Sequence, residues 1–406
     1  MLTSEQKKQF SDVLEELGKT LDITESQYTN AVKSYEAVGS LLAEDGSSLA
    51  PYSPTIMPQG SFMLGTMVKP EVEKDDLDID VVCQFTGKNA EWTQHDLKQK
   101  VGDQIKSNEK YKDMVSEGRR CWTLEYSDAA NYHMDILPSL VASGYKIILE
   151  KSFSASEVNA IDQLSIRITD NMEANYKTSP HPEQWPKSNP FGFGRWFFYQ
   201  ASLGLKKARS FQESVQPVPS FQKEKLPLQR VVQILKRHRD LMFKGDQDKP
   251  VSMIITTLAA RAYGQEPYII EALLNVIQKM PSLIERRYSP KWGREIAWIG
   301  NPVNQEENYA DKWPDHPQRE AKFMKWMNQV SIDVQNAIAQ IGIPKIQESL
   351  EKPFGKDAIR KAFTRYGEIQ QRLRVSGALK MASGSGILSE SGQISVKAHT
   401  FFGGNE

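Results

Sequence analysis

With 406 residues, 39% of them hydrophobic, and 51 basic side chains set against 51 acidic ones, the chain reads as a soluble folded protein long enough for two packed lobes. That balance excludes a whole-molecule field of the kind that gathers nucleic acid or an anionic membrane, so any phosphate recognition has to be local. The opening MLTSEQKKQF lacks the basic start and apolar run of a signal peptide, and no stretch approaches the roughly 18 to 20 apolar residues of a membrane span, so a cytoplasmic location is expected.

The first elements are helical. Phe10, Val13, Leu14, Leu17 and Leu21 recur at helical spacing, and Tyr28, Ala31, Val32, Tyr35 and Val38 repeat the pattern; Thr3 with Gln6 and Thr24 with Gln27 supply a capping box for each. A Ser/Pro-rich connector from Gly46 to Gln59 follows. Beyond it the period shortens to that of strands, predicted at Leu77–Phe85, Cys121–Tyr126, Tyr132–Leu137 and Tyr145–Leu149, with a helix from Glu91 to about Ser107 between the first two. After a polar loop from Lys177 to Pro190 the remainder reads as largely helical. Its clearest helix carries Phe323, Trp326, Met327, Val330, Val334, Ala337, Ile338 and Ile341 on one face and is stopped by Gly342 and Pro344. Basic residues gather at Lys223–Lys244 and at Lys352–Lys380, the second read as a solvated helix face. Cys83 and Cys121 have no neighbours at metal-ligand spacing and are read as buried packing residues.

The chemistry concentrates in Leu77-Asp78-Ile79-Asp80-Val81. On a strand, alternation sends the three apolar side chains to one face and both carboxylates to the other, about 7 Å apart. Such a pair is what an acidic surface strand looks like, and also what a site for Mg²⁺ or Mn²⁺ looks like. Two further features favour the metal. Upstream, Gly60-Ser61 opens GSFMLGT, where a glycine permits close backbone approach and a hydroxyl with exposed amides can hold a phosphate. Downstream, Tyr132-His133-Met134-Asp135-Ile136-Leu137 is a second alternating strand that offers Asp135 as a third carboxylate if it lies beside the first. Three carboxylates with two divalent ions suit an in-line displacement at phosphorus, with Asp78 and Asp80 bridging both ions and Asp135 on the ion that activates the attacking hydroxyl. His133 shares the face of Asp135 and is read as a hydrogen-bonded structural histidine. Asp75 and Asp76 are read as the acidic end of the preceding loop, Asp76 joining the carboxylate face if the strand starts early.

In this order, Gly60-Ser61, Asp78-Ile79-Asp80 and Asp135 resemble the polymerase-β-like nucleotidyltransferase superfamily. Gln59-Gly60-Ser61 with Gly65-Thr66-Met67-Val68-Lys69-Pro70, the HMDILP run from His133 to Pro138, Ser188-Asn189-Pro190 with Trp196-Phe197, and Asn301-Pro302 with Glu307-Asn308-Tyr309 to Trp313 narrow this further. They resemble the bacterial cGAS/DncV-like nucleotidyltransferases, over roughly residues 50 to 320. The resemblance implies a two-lobed α/β (α+β) fold: a small mixed-sheet catalytic core, a helical C-terminal lobe, and an active site in the cleft between them. The expected division is 1–190 for the N-terminal helices and core, 191–375 for the helical lobe and 376–406 for a flexible tail. It implies a metal-dependent synthase of cyclic di- or trinucleotides acting in anti-phage signalling, with Asp78, Asp80 and Asp135 catalytic and metal-binding. Nucleotide would be held by Gln59, Gly60, Ser61, Lys236 and Ser252, the last two on the triphosphate tail. Read without the resemblance, Lys236 is a surface residue. The implied cofactor is a pair of Mg²⁺ ions or Mn²⁺, and the implied substrates are ATP, GTP or both, with pyrimidine nucleotides also open. No nucleic-acid activator is expected. The tail HTFFGG resembles one that a ubiquitin-transfer-like partner conjugates, although Asn405 and Glu406 follow Gly404; an unstructured end is the other reading. Two rival functions stand beside this one: a primer-dependent or linear-oligonucleotide-forming RNA nucleotidyltransferase, and a catalytically silent nucleotide-binding scaffold.

Overall fold

The structure, a computed structural model, describes residues 2–71, 77–126, 132–141, 164–202 and 221–396. The expected strand at Tyr145–Leu149, the loop acids Asp75 and Asp76, and the HTFFGG tail lie outside the described residues.

Helices α1 (Ser4–Leu21) and α2 (Glu25–Leu42) begin where the capping boxes put them: the Thr3 and Thr24 N–H groups each donate at 2.9 Å to the glutamine side chain three residues on. The Ser/Pro-rich connector is not all loop. It contains strand β1 (Thr55–Pro58), and Pro58 is tolerated there because β1 is the edge of its sheet, where a missing N–H disrupts no central ladder. After the short helix α3 (Gly60–Met63) come β2 (Leu77–Phe85), α4 (Gln94–Lys106), β3 (Val115–Glu117), β4 (Trp122–Tyr126), β5 (Tyr132–Val141), β6 (Ile166–Ile168), β7 (Lys187–Ser188) and α5 (Pro190–Ser202). The sheet runs β1-β2-β5-β4-β3, with β6 pairing β5 and β7; β2 and β5 are parallel and the other pairs antiparallel, so the sheet is mixed.

The remainder carries α6 (Pro227–Met242), α7 (Ser252–Ala262) and α8 (Ile269–Lys279), then two short hairpins, β8 (Glu285–Ser289) with β9 (Arg294–Trp298) and β10 (Gly300–Asn301) with β11 (Asn304–Asn308). Helices α9 (Pro317–Ile338), α10 (Ile343–Phe354) and α11 (Lys356–Val375) follow, and then β12 (Lys380–Met381), β13 (Leu388–Ser389) and β14 (Ile394–Ser395). Ile341 does not extend the apolar face of α9: it is 88% exposed beyond the helix end, where Gly342 and Pro344 start α10. Residues 376–396, expected in a flexible tail, form a three-stranded sheet whose Leu379 and Ala382 are buried. Lys356, Arg360, Lys361, Arg365 and Arg372 of α11 are exposed, as read, while Arg374 is half-buried.

By packing, the chain divides into two units that do not follow simple sequence cuts. One consists of 1–22, 226–297 and 312–406; the other of 23–225 and 298–311. Residues 1–22, expected with the catalytic core, group with the helices because Leu14, Leu17 and Leu21 of α1 are buried against α6, α8 and α11. Arg230 fixes that arrangement. Its side chain is fully buried, donates to both oxygens of Glu15 and to Asp22, and lies where Gly18 leaves room: a Cβ at Gly18 would sit 2.5 Å from Arg230 Cδ. In the sheet unit, α2 and α4 cover the apolar side of the sheet, packing Val32, Tyr35, Val38, Leu97 and Val101 onto Ile79, Val81, Trp122 and Ile136.

Candidate active site

Strand β2 alternates as its sequence requires. Leu77, Ile79 and Val81 are buried, Asp78 is exposed and Asp80 half-buried on the opposite face. Parallel pairing with β5 then decides which residues meet. Asp80 stands directly beside Asp135 and Asp78 beside His133, while antiparallel β4 places Thr123 beside Asp135 and Glu125 beside His133. Neighbours directly across a sheet share a face. The result is two rows over three strands: Asp80, Asp135, Thr123 and, one step along, Asp78, His133, Glu125.

One carboxylate oxygen each from Asp78, Asp80 and Asp135 lies within 4.8 Å of the others. Three like charges at this range repel, and the donor set is all oxygen, which suits a hard divalent cation. Thr123 Oγ1 donates to Asp135 Oδ1 at 2.5 Å, and His133 Nε2 lies 3.1 Å from Asp78 Oδ1. The histidine therefore has a partner in the acidic cluster, which the sequence did not reveal. Cys121 is half-buried rather than a core residue, and its thiol reaches Thr123 and Asp135; burial, with the Asp135 charge second, pushes it up to about 11, so it stays protonated at neutral pH. Cys83 is a fully buried packing residue, as read.

Gly60 closes the site from the side. The Gln59 N–H donates to the Asp80 carbonyl at 2.9 Å, and Gly60 takes a left-handed φ of 57°. A Cβ at Gly60 would lie 2.7 Å from Asp80 Oδ2, so only glycine lets the loop approach the carboxylate. Ser61, half-buried, starts the turn that Thr66 N–H closes onto the Ser61 carbonyl at 3.0 Å.

Residues 54–138 match the family described as "Cyclic GMP-AMP synthase DncV-like, nucleotidyltransferase domain", a span that holds Gln59, Gly60, Ser61 and all three acids. Over that span the chain carries a cGAS/DncV-like nucleotidyltransferase domain. The nucleotidyltransferase is 27% identical, over 99% of its length, to the whole of a c-di-GMP synthase of Roseivirga ehrenbergii. Its fold is shared with the Bradyrhizobium diazoefficiens CD-NTase CdnG, solved in complex with GTP, at a TM-score of 0.62 and 20% identity, covering 88% of this chain and 99% of that one. The Vibrio cholerae di-nucleotide cyclase DncV, solved with GTP and 5MTHFGLU2, is similar at a TM-score of 0.51 and 14% identity over 89% and 93% of the two chains.

Lys236 and Ser252 of the nucleotidyltransferase belong to the helical unit. Lys236 is buried on α6, against its reading as a surface residue, because that helix is covered on nearly every side and keeps Arg230, Arg237 and Arg239 buried with it. Ser252 is the first residue of α7. Its Oγ accepts from Arg239 Nη1 at 2.8 Å, and the same nitrogen donates to the Pro250 carbonyl at 3.0 Å. Arg239 is thus a candidate residue that sequence reading missed inside the basic run.

Several motifs that carry the resemblance are scaffold. Asn189 Oδ1 accepts from Gly192 N–H at 2.9 Å at the start of α5, and Asn308 Oδ1 accepts from Ile299 and Ala310 N–H groups at 2.8 and 3.0 Å. The turn ahead of β4 is pinned by Asp170, which takes Arg119 Nε at 2.7 Å and Arg120 Nε at 2.8 Å. Its burial works against the charge, yet the two guanidiniums hold its carboxyl below the usual range. Fully buried Lys98 of α4 donates to the Gly118 and Arg119 carbonyls of the same turn. No helix among the described residues is long and apolar enough to cross a membrane.

Proposed function

We propose that this nucleotidyltransferase condenses nucleoside triphosphates into a cyclic di- or trinucleotide second messenger, releasing pyrophosphate, in anti-phage signalling in the cytoplasm. The observation that carries the reading is the parallel register that sets Asp80 beside Asp135, with Asp78 close enough to complete an oxygen-only cluster. Asp78, Asp80 and Asp135 would hold Mg²⁺, or Mn²⁺ in its place. Bound there, the metal supplies a lowered hydroxyl pKa and offsets charge on the α-phosphate and the departing pyrophosphate. The chain's own contribution is positioning: Gly60 lets the Gln59–Ser61 backbone reach the carboxylates, and Ser61 with its neighbouring amides is suited to gripping a phosphate beside them. On the helical unit, Lys236 and the helix-start hydroxyl of Ser252, oriented by Arg239, suit the triphosphate tail. Similarity to a c-di-GMP synthase along the whole chain puts GTP first among the substrates to test, ATP next and pyrimidine nucleotides after.

The test is incubation of the purified protein with all four labelled triphosphates and Mg²⁺ or Mn²⁺, then phosphatase, nuclease digestion and mass spectrometry, beside an Asp78→Ala/Asp80→Ala double variant. A phosphatase-resistant cyclic product absent from the variant is expected. A product that appears only with an added RNA primer would replace this reading with the primer-dependent one, and nucleotide binding with no pyrophosphate release would replace it with a silent scaffold.

A further inference from the structure

We infer that Thr123 and His133 are positioning residues that set the carboxylates of Asp135 and Asp78 for metal binding. The inference rests on the metal-site reading above and concerns residues that touch the ligands rather than the metal. Its ground is the two rows that the strand register creates. In the first, Asp80 and Asp135 are direct neighbours across the parallel pair, and like charges so placed push each other out of line. Asp135 has Thr123 on its other flank, donating to Oδ1 at 2.5 Å. Threonine on a strand is stiff at χ1, so its hydroxyl is a fixed donor. A hydroxyl is also neutral. It takes one lone pair of Asp135 and leaves the full negative charge for a cation, whereas a lysine or arginine at this position would compete with one.

The second row repeats the device two residues along. Asp78 is the most exposed of the three acids, 61% accessible at its side chain, and without a neighbour it would rotate freely into solvent. His133, its direct partner in the register, offers Nε2 to Oδ1 at 3.1 Å, and Glu125 flanks the histidine from β4. Each outer ligand therefore has a hydrogen-bond partner supplied by the strand beside it, and Asp80 between them is confined by Gly60. Outer-shell partners of this kind set ligand orientation, and their removal weakens metal binding by about 10- to 100-fold.

The experiment is Mn²⁺ titration of the full-length chain, read by electron paramagnetic resonance of free Mn²⁺, on wild type, Thr123→Val, Thr123→Ser, His133→Leu, His133→Gln and Asp135→Ala. Thr123→Val and His133→Leu are expected to weaken Mn²⁺ binding by about tenfold or more, and Thr123→Ser and His133→Gln to recover most of that loss. Circular dichroism checks folding, and Thr123→Ala, which removes the hydroxyl without adding bulk, carries the same test if Thr123→Val does not fold. Wild-type Mn²⁺ affinity in Thr123→Val and His133→Leu, with affinity lost in Asp135→Ala, overturns the positioning role alone. Wild-type affinity in Asp135→Ala as well overturns the carboxylate site itself.

Discussion

At the scale of single residues the site depends on one atom that is missing. Gly60 has a left-handed backbone and no Cβ, and both properties are used: the first turns the chain off β1, the second admits the Asp80 carboxylate where a side chain would stand at 2.7 Å. Gly60→Ala is expected to keep the fold, judged by circular dichroism, while displacing Asp80 or the loop. A displacement near 1 Å lowers product formation on the order of 100-fold. Unchanged turnover in Gly60→Ala would show that the close approach is unrelated to the chemistry. Gly60, Ser61, Asp78, Asp80 and Asp135 were legible in the sequence because each stands in a short pattern with a local meaning. Thr123 and Arg239 were not, since nothing in CWTLEY or in LKRHRD says which carboxylate or hydroxyl lies opposite them.

At the scale of elements, α6 joins its neighbours through polar groups inside an apolar packing. Arg230 binds α1, and His238 binds α9: Trp326 Nε1 donates to His238 Nδ1 at 3.1 Å, and Nε2 lies 2.9 Å from Asp333 Oδ2. With Nδ1 accepting, the imidazole is neutral and donates from Nε2. Burial lowers the pKa of His238, outweighing the pull of Asp333 in the other direction. The sign of the linkage follows. Below about 6.5 the unfolded chain takes up a proton that the folded histidine resists, so this contribution to stability is complete above that pH and is lost as pH falls toward the lowered folded value. Urea midpoints are expected to drop between pH 7.5 and 5.5 in wild type, and to drop less in His238→Asn. Equal slopes in the two proteins would remove His238 as the cause.

At the scale of the whole molecule, 51 basic and 51 acidic side chains leave no net field, and the basic residues of α6 are buried instead of lining an outer face. Nucleic-acid binding strong enough to control activity draws on many phosphate contacts. We therefore expect the rate of product formation to be unchanged by double-stranded DNA at low salt, measured as pyrophosphate release with and without the duplex; a stimulation that disappears as salt is raised would contradict this. The two units are each assembled from separated stretches of chain, and residues 298–311 return to the sheet unit from within a helical stretch. Sequence reading assigned them to the helical lobe because they lie within a remainder that reads as largely helical.

What the sequence by itself determined is what depends on neighbours a few residues away. The capping boxes of Thr3 and Thr24, the outward carboxylates of Leu77-Asp78-Ile79-Asp80-Val81 and the Gly60-Ser61 turn all follow from backbone geometry repeating every two or four residues. Only the tertiary structure decided that Asp80 stands beside Asp135 and Asp135 beside Thr123, that α1 joins the helices rather than the sheet, and that Arg230, Lys236 and Arg239 are buried. Strand partners and helix neighbours are chosen by how distant apolar faces pack together, and a local pattern records that a face exists without recording what will cover it.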